Sequence, residues 1–412
     1  MKIKYVNIYK IFIYIIVILN LGFSNLVVES TKECTLLSVL FTFLCFLIFL
    51  SDNNKPHGSG ITLEIVLIIC LFILNFLRYI CNPLPDLKIV SVFVNYCGMI
   101  FPLLAFPMYR IISVDSKSFF AFLRWSGLCA LATRTIIWTC YNFLHFNIGP
   151  GFINGRENFT REILGLNLVR ISGTFLDSFL LIDVLIYLFL KNESSVFKIP
   201  RIIELCFLYF YIVFISQSRW QLIITLLITV IFMFYSAFKS KNKYLCFILL
   251  LMGLGIGIYV LRNSILNFIS SFDPNNYQSS LSVSTVLRQR STEFFSGLWQ
   301  EGNRFLGFGF MADAVTDGLN VHYLSDFGIQ INLYQFGYLG FVILIVPLLN
   351  GLFYFINLIR KNLLSKERLI DEYFVGLFLF LTLSTQNMYL FNLALEVPIY
   401  LALNMVIKSK NE

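Results

Sequence analysis

The sequence predicts an all-α polytopic integral membrane protein of about 12 transmembrane helices, with a range of 10–13, in a single membrane domain over residues 1–412. Three observations predict it. Of 412 residues, 58% are hydrophobic and 13% charged, against about 25% charged in a soluble domain. The apolar positions number about 240, which is what about twelve spans of about 20 residues require. They are also gathered into runs long enough to cross a bilayer, with short polar connections between them. Disorder, collagen and coiled coil are excluded by the 45 phenylalanines and the absence of a heptad or G-X-Y period. The net charge of +8 falls in loops rather than in one basic patch, so no nucleic-acid partner is expected.

The first run, 9–28, follows Lys2, Lys4 and Lys10 as a signal peptide's would, but no A-x-A site follows and a second span begins at once, so it reads as a retained helix. Runs at 34–51, 61–81, 89–109 and 118–140 complete the first five spans. After a longer loop come 173–190, 202–216, 220–238 and 244–262, then 329–358, 373–388 and 391–407. The run at 202–216 is short and 373–407 also fits a re-entrant hairpin, which sets the range in span number. The nine cysteines lie in or beside apolar runs with no CxxC, so they read as small buried apolar residues. His57, His145 and His322 are too dispersed for a metal site, and no GxxxxGK[ST] loop occurs. No metal or other cofactor is expected.

Alternating the loops between two sides puts 18 of the 31 basic residues on the side of the N-terminus, with KSKNK (239–243) and RKNLLSKER (360–368) as the clearest cases. That side is cytoplasmic by the positive-inside rule, and both termini lie there. Two sizeable segments are then external, 141–172 and 263–328, and chemistry is expected on that face because loops on a rigid scaffold carry function. The second contains a polar stretch with an Asp273-Pro274 turn, a periodic stretch STEFFSGLWQE that fits an amphipathic helix at the membrane surface, and a glycine-rich turn, FLGFGF.

Lysine and arginine segregate. The cytoplasmic set is 14 Lys and 4 Arg, whereas the external set is 2 Lys and 9 Arg, with Arg124 and Arg134 inside a span. Either residue orients a helix, but a two-point grip on phosphate needs the guanidinium fork. Some of the external arginines are therefore candidates for an anionic ligand at the outer boundary, the alternative being pairs with carboxylates or lipid headgroups. Arg219, in SQSRW, lies in a turn so short that it sits at the bilayer edge. Arg170 precedes ISGTFLDS, where Asp177 is a candidate structural partner. Arg288 and Arg290 stand just before the amphipathic stretch. Arg124 and Arg134 fall on different helix faces and read as separate structural contacts. His322, in NVHYLSDFG, is placed to act as general base on a hydroxyl, with Asp326 on the same face if the segment is helical; the alternative is a surface histidine.

The C-terminal half resembles the bacterial O-antigen polymerase (Wzy) and O-antigen ligase superfamily. The resemblance is carried by LRQRSTEFFSGLWQEGNRFLGFGF (287–310), an Arg before an aromatic stretch and then a Gly-x-Gly-Phe turn. NVHYLSDFGIQINLYQFGYLGFVILI (320–345) follows, with a His before a span that opens on a Gly-x-x-Gly element, and SRW at Arg219 and RISGTF at Arg170 are also similar. Tyr323 stands where Asn is common after the histidine, and the turn before Gly307 lacks the usual proline. The resemblance implies a metal-independent, inverting membrane glycosyltransferase of GT-C-like architecture, with loops 141–172 and 263–328 in the periplasm. Donor and acceptor would be undecaprenyl-pyrophosphate-linked oligosaccharide, joined at the periplasmic face of the bacterial inner membrane in lipopolysaccharide biosynthesis, with membrane lipid around the site and a chain-length regulator as a candidate partner. It assigns pyrophosphate to Arg219, Arg290, Arg288 and Arg170, and the acceptor hydroxyl to His322, with Asp326 as the competing base. A ligase that transfers glycan to lipid A core is the nearest alternative. A lipid-linked oligosaccharide flippase is the alternative of a different class, though no half-to-half repeat is visible.

Reporter fusions test the sidedness. Alkaline phosphatase fused after residue 155 is expected to be active and after residue 241 inactive, with a cytoplasmic reporter giving the opposite pair; the reverse pattern overturns the orientation.

Overall fold

A computed structural model of the chain describes residues 2–26, 31–52, 59–81, 98–153, 160–163, 166–189, 195–239, 280–309, 314–317, 320–323, 330–360 and 395–411. Helix dominates, as it must where apolar segments cannot bond their backbone to lipid and satisfy it within the segment instead. The described helices longer than a single turn are α1 (Lys2–Asn20), α2 (Thr31–Leu50), α3 (Ser59–Cys81), α4 (Ala105–Leu144), α5 (Asp177–Phe189), α6 (Ser195–Phe210), α7 (Arg219–Lys239), α8 (Ser280–Glu301), α9 (Gln330–Arg360) and α10 (Glu396–Asn411), with one helical turn at Pro150–Ile153. Short 3-10 segments lie at Phe23–Leu26 and Gly98–Leu104, and α6 runs on into a π-helical turn, Tyr211–Ser216.

Among the described residues, four segments are long and apolar enough to cross a membrane: Tyr5–Leu26, Glu33–Leu50, Ile199–Ser216 and Gln221–Phe238, with mean hydropathy of 1.8 to 2.3. The chain is a helical membrane protein. The expected spans at 244–262 and 373–388, and residues 89–97 of a third, lie outside the described residues. The short run at 202–216 lengthens because helix begins at Ser195, ahead of the apolar stretch.

The helices are also apolar on the wrong side for water. α2 buries Ser38, Thr42 and Cys45 while Leu40, Phe43, Leu47 and Leu50 face outward, and α3 buries Asn75 with Leu63, Leu77 and Ile80 outside. Lipid is as apolar as leucine, so small and polar residues go to the helix contacts, where backbones approach closely. The buried hydroxyls are satisfied within their own helix: Ser38 donates to the Cys34 carbonyl and Thr42 to that of Ser38, each at 2.7 Å. The same inversion corrects the reading of the cysteines. Of the described ones only Cys45 is buried; Cys70, Cys81, Cys129 and Cys206 lie on outward faces.

Two antiparallel hairpins depart from an all-α chain, one in each expected external segment. Strand β1 (Thr160–Ile163) pairs with β2 (Leu166–Val169), and β3 (Ala314–Asp317) with β4 (Asn320–Tyr323). In each case four-residue runs holding β-branched residues flank a two-residue gap that contains a glycine, Leu164-Gly165 and Gly318-Leu319, which is a local hairpin signal.

Ion pairs fix the packing of the helices. Arg124 of α4 donates from Nε and Nη2 to the two carboxylate oxygens of Glu204 on α6, at 3.1 and 2.6 Å. Arg201 of α6 reaches Asp183 of α5 at 2.8 Å and Glu204 at 3.1 Å, closing a neutral four-charge cluster across three helices. Arg134 makes a separate set of contacts on another face of α4, described below. Toward the start of α4, Lys10 donates to Asp115 at 2.6 Å where α4 kinks, and Tyr9 donates to the buried Asp52 at 3.2 Å, with Arg110 at 3.6 Å from the same carboxylate.

The Arg124 cluster predicts that Arg124→Leu, which leaves Glu204 short of its bidentate partner, lowers stability in detergent by about 3 kcal/mol, measured by denaturant titration; a change within a few tenths overturns it. At the exposed kink, the bond from Lys10 holds the Asp115 carboxyl below its ordinary value. Its stabilisation is therefore present at neutral pH and lost as pH falls through that lowered value, and Asp115→Asn is expected to remove this acid-side difference.

Candidate functional site

The glycine-rich turn foreseen at 305–310 is built into a helix. α9 breaks at Gly337, whose φ of 65° and ψ of −167° lie outside the helical region. In an unbroken helix the amides of Tyr338 and Leu339 would donate to the carbonyls of Tyr334 and Gln335. Here Tyr338 donates to the Arg304 carbonyl at 3.0 Å and Leu339 to that of Phe305 at 3.2 Å. The two released carbonyls accept from Phe308 at 3.0 Å and from Gly309 at 2.8 Å. The turn thus exchanges four hydrogen bonds with the break.

The rest of the turn is equally accounted for. The Asn303 side chain accepts from the amides of Phe305 and Leu306 at 3.0 and 3.1 Å, and its carbonyl accepts from Gly307 at 2.7 Å. The Leu306 and Gly307 carbonyls accept from Arg78 Nη1 at 3.1 and 2.5 Å. Gly307 and Gly337 both have positive φ, and a Cβ on Gly307 would stand 2.5 Å from the Gly337 nitrogen, so two backbones meet here with no room for a side chain.

This exchange seats an aromatic cluster. The Phe308 ring packs against Phe295 of α8 and Tyr334 of α9, and Trp299 lies against Tyr334 and Tyr338. His322, on β4, stacks on Phe294 with ring centroids 4.2 Å apart and an interplanar angle of 3°, and lies edge-on to Phe295 at 6.5 Å. It is 6% exposed, so it is not a surface histidine. Its Nδ1 has no hydrogen-bond partner among the described residues, and neither do Trp299 Nε1 and the Gln335 side-chain amide. A buried imidazole nitrogen left unsatisfied is costly in a finished core and is suited to a ligand group.

A second cluster surrounds the irregular segment 170–174. Ile171 donates its amide to the Ile215 carbonyl at 3.0 Å, at the end of the π-helical turn, where Gln217 takes a left-handed conformation before α7 begins at Arg219. Arg134 Nη1 donates to the carbonyls of Ser172, at 2.7 Å, and Gly173, while Nη2 donates to that of Leu21 at 3.0 Å. Tyr211 adds a bond to the Ser172 carbonyl at 3.0 Å. Asp177 accepts from the amide and hydroxyl of Thr174. Arg134, bound to the carbonyl of Gly173, is a cation beside Asp177 that the sequence reading did not assign to it. Glu396, in the first turn of α10 and 1% exposed, is a buried carboxyl that was not singled out in the sequence.

The predicted site residues other than Asp326 lie near one or other of these two groups. The 171–215 hydrogen bond brings Arg170, half-buried, into the neighbourhood of Arg219. Arg290 is exposed on α8 one turn before Phe294, the ring that carries His322, with Arg288 half a turn earlier. For Arg219 and Arg288 the backbone alone is described. The amphipathic stretch is the second half of the 22-residue α8. Because His322 is in a strand and not a helix, four-residue spacing does not put Asp326 on its face, and Asp326 lies outside the described residues. Sequence reading missed Arg78 and Arg134 as carbonyl donors; the signal for the first was the Asn303-to-Gly309 turn, whose carbonyls need donors. The chain matches no protein-family model and no curated protein.

The two left-handed glycines of the turn make a graded test. Gly307→Ala is expected to cost more than the about 1–2 kcal/mol of its left-handed conformation alone, because its Cβ also meets backbone, while Gly309→Ala, with nothing among the described residues within 4 Å of its Cβ, shows the conformational cost only. Equal losses in thermal unfolding of the two variants count against the backbone exchange.

Proposed function

We propose that the chain is an O-antigen polymerase. In this reading about twelve spans of GT-C-like architecture, with both termini in the cytoplasm, surround a periplasmic-facing site in the inner membrane that joins undecaprenyl-pyrophosphate-linked repeat units. One observation supports it most: the three elements that carry the resemblance, α8 with Arg288 and Arg290, the glycine turn, and His322 before α9, pack as one unit although 287–345 separates them in sequence.

The chemistry asks for two functions. The acceptor hydroxyl must lose its proton as its oxygen attacks the anomeric carbon, and His322, with Nδ1 unpartnered, takes that role. The anomeric carbon–oxygen bond then breaks with inversion, and undecaprenyl pyrophosphate leaves with the electron pair. Fixed guanidinium charge from Arg290, Arg288, Arg219 and Arg170 stabilises that anion, most effectively where water is scarce.

Deletion of the gene is expected to leave lipopolysaccharide as core plus one repeat unit on a gel. Bare core instead points to a ligase or flippase and overturns the polymerase. His322→Ala is expected to lower polymerisation by about 10²–10⁴-fold at normal membrane levels. Arg290→Lys keeps the charge and loses the fork, so it is expected to shorten the ladder.

A further inference from the structure

We infer that Arg78, in the last turn of α3, is a positioning residue for His322, acting through the glycine turn; this rests on the polymerase reading for its role in the reaction. By charge and expected side it is one of nine external arginines, as are those proposed to hold pyrophosphate, though it lies in none of the motifs that carry the resemblance. The structure separates it. Its Nη1 bridges the Leu306 and Gly307 carbonyls at 3.1 and 2.5 Å, from 228 and 229 residues away in the chain. α9 takes the two preceding carbonyls, those of Arg304 and Phe305, and Arg78 takes the next two.

The line from Arg78 to His322 is short. Gly307 is fixed against the Gly337 break. The next residue, Phe308, is held by its amide to the Tyr334 carbonyl and by its ring between Tyr334 and Phe295. Phe295 is the edge-on neighbour of His322, and Phe294 beside it is the ring on which the imidazole stacks. Remove the donor and two half-buried carbonyls lose their partner, which favours a turn that leaves the break and takes Phe308 with it. The stack on Phe294 then no longer has a fixed wall behind it.

A single nitrogen meets both carbonyls, and this makes the inference testable. An ammonium with three donors can replace it, whereas a residue gripping pyrophosphate through two nitrogens loses its geometry on the same change. Arg78→Ala and Arg78→Lys are compared with wild type as purified protein, using lipid-linked repeat units extracted from the same cells as donor, and as acceptor the released repeat oligosaccharide on an alkyl chain, which lacks pyrophosphate and can only accept. Arg78→Ala is expected to lower kcat by about tenfold to a hundredfold with donor KM unchanged, and Arg78→Lys to recover most of it. Amide exchange at 305–309 and 338–339 is expected to be slow in wild type and Arg78→Lys and fast in Arg78→Ala.

Equal loss in the two variants, or a raised donor KM with kcat retained, overturns the positioning role and returns Arg78 to the anion-binding set. Unchanged exchange in Arg78→Ala overturns it independently of activity. Wild-type protein that forms no polymer sinks the polymerase reading instead, and the exchange data still decide whether Arg78 holds the turn.

Discussion

Backbone that leaves the helix inside an apolar protein must find new hydrogen-bond partners, and the chain meets this constraint by trading bonds between two breaks. The amides of Tyr338 and Leu339 go to the glycine turn, and the turn returns the amides of Phe308 and Gly309 to the carbonyls that α9 gives up. Neither segment could hold this shape alone. A helix broken at Gly337 would leave two amides and two carbonyls unpaired, and a free turn of this composition would have no preferred form. Because the two defects are complementary, the position of the turn is fixed to the position of α9, and the aromatic cluster with His322 inherits that definition.

The same constraint explains where charge goes. Non-helical segments expose more carbonyls than amides to the interior when their amides are engaged, and a guanidinium supplies several donors from one side chain. Arg78 does this for the turn at Leu306 and Gly307, and Arg134 does it for Leu21, Ser172 and Gly173. Arginine in this chain therefore has three uses: it locks helices through carboxylates, as Arg124 and Arg201 do; it closes irregular backbone; and, in the proposed function, it holds a leaving pyrophosphate. The external excess of arginine over lysine read from the sequence thus takes in Arg78, which closes backbone, and the arginines proposed to hold pyrophosphate, while Arg134 belongs to a span and stands outside that count. Lysine, a single point charge on a long stem, is left for orienting the helices and for exposed pairs such as Lys10 with Asp115.

How much of this was legible in the sequence depended on the range of the interaction. Helices follow from local apolar runs, so α2, α3 and α7 stand close to where the runs do. The glycine turn and the amphipathic α8 were legible because each is a local pattern, and Asn303 before the turn has a local reason as well. The hairpins were missed although Gly318-Leu319 between β3 and β4 is a hairpin signal, because a four-residue strand in a long polar loop carries little apolar alternation. The partners of charges were not legible at all. Arg134 with Asp177, and Arg78 with Leu306, join residues 43 and 228 apart, and nothing in their neighbours encodes which carbonyl or carboxylate will be opposite. Asp177 was considered with Arg170 because the two are near in sequence; the packing of α4 against that segment brings Arg134 to it as well.

The two site clusters also differ in what holds them. Around 170–177 the contacts are polar and internal to the helix bundle: Arg134, Tyr211, Thr174 and the backbone pair of Ile171 with Ile215. Around His322 they are aromatic stacks, which set distance and plane and leave Nδ1 without a partner among the described residues. A hydrogen-bonded imidazole would have its nitrogens committed, whereas one held by its face on Phe294 keeps Nδ1 for a proton from outside. Rigid polar anchoring suits arginines that must present fixed charge to an anion, and stacking suits a base that must be placed without being occupied. In the proposed reaction Arg170, at the polar cluster, serves the leaving group and His322, on the stack, the attacking hydroxyl, while Arg290 and Arg288 serve the leaving group from α8, the helix that carries the stacked ring.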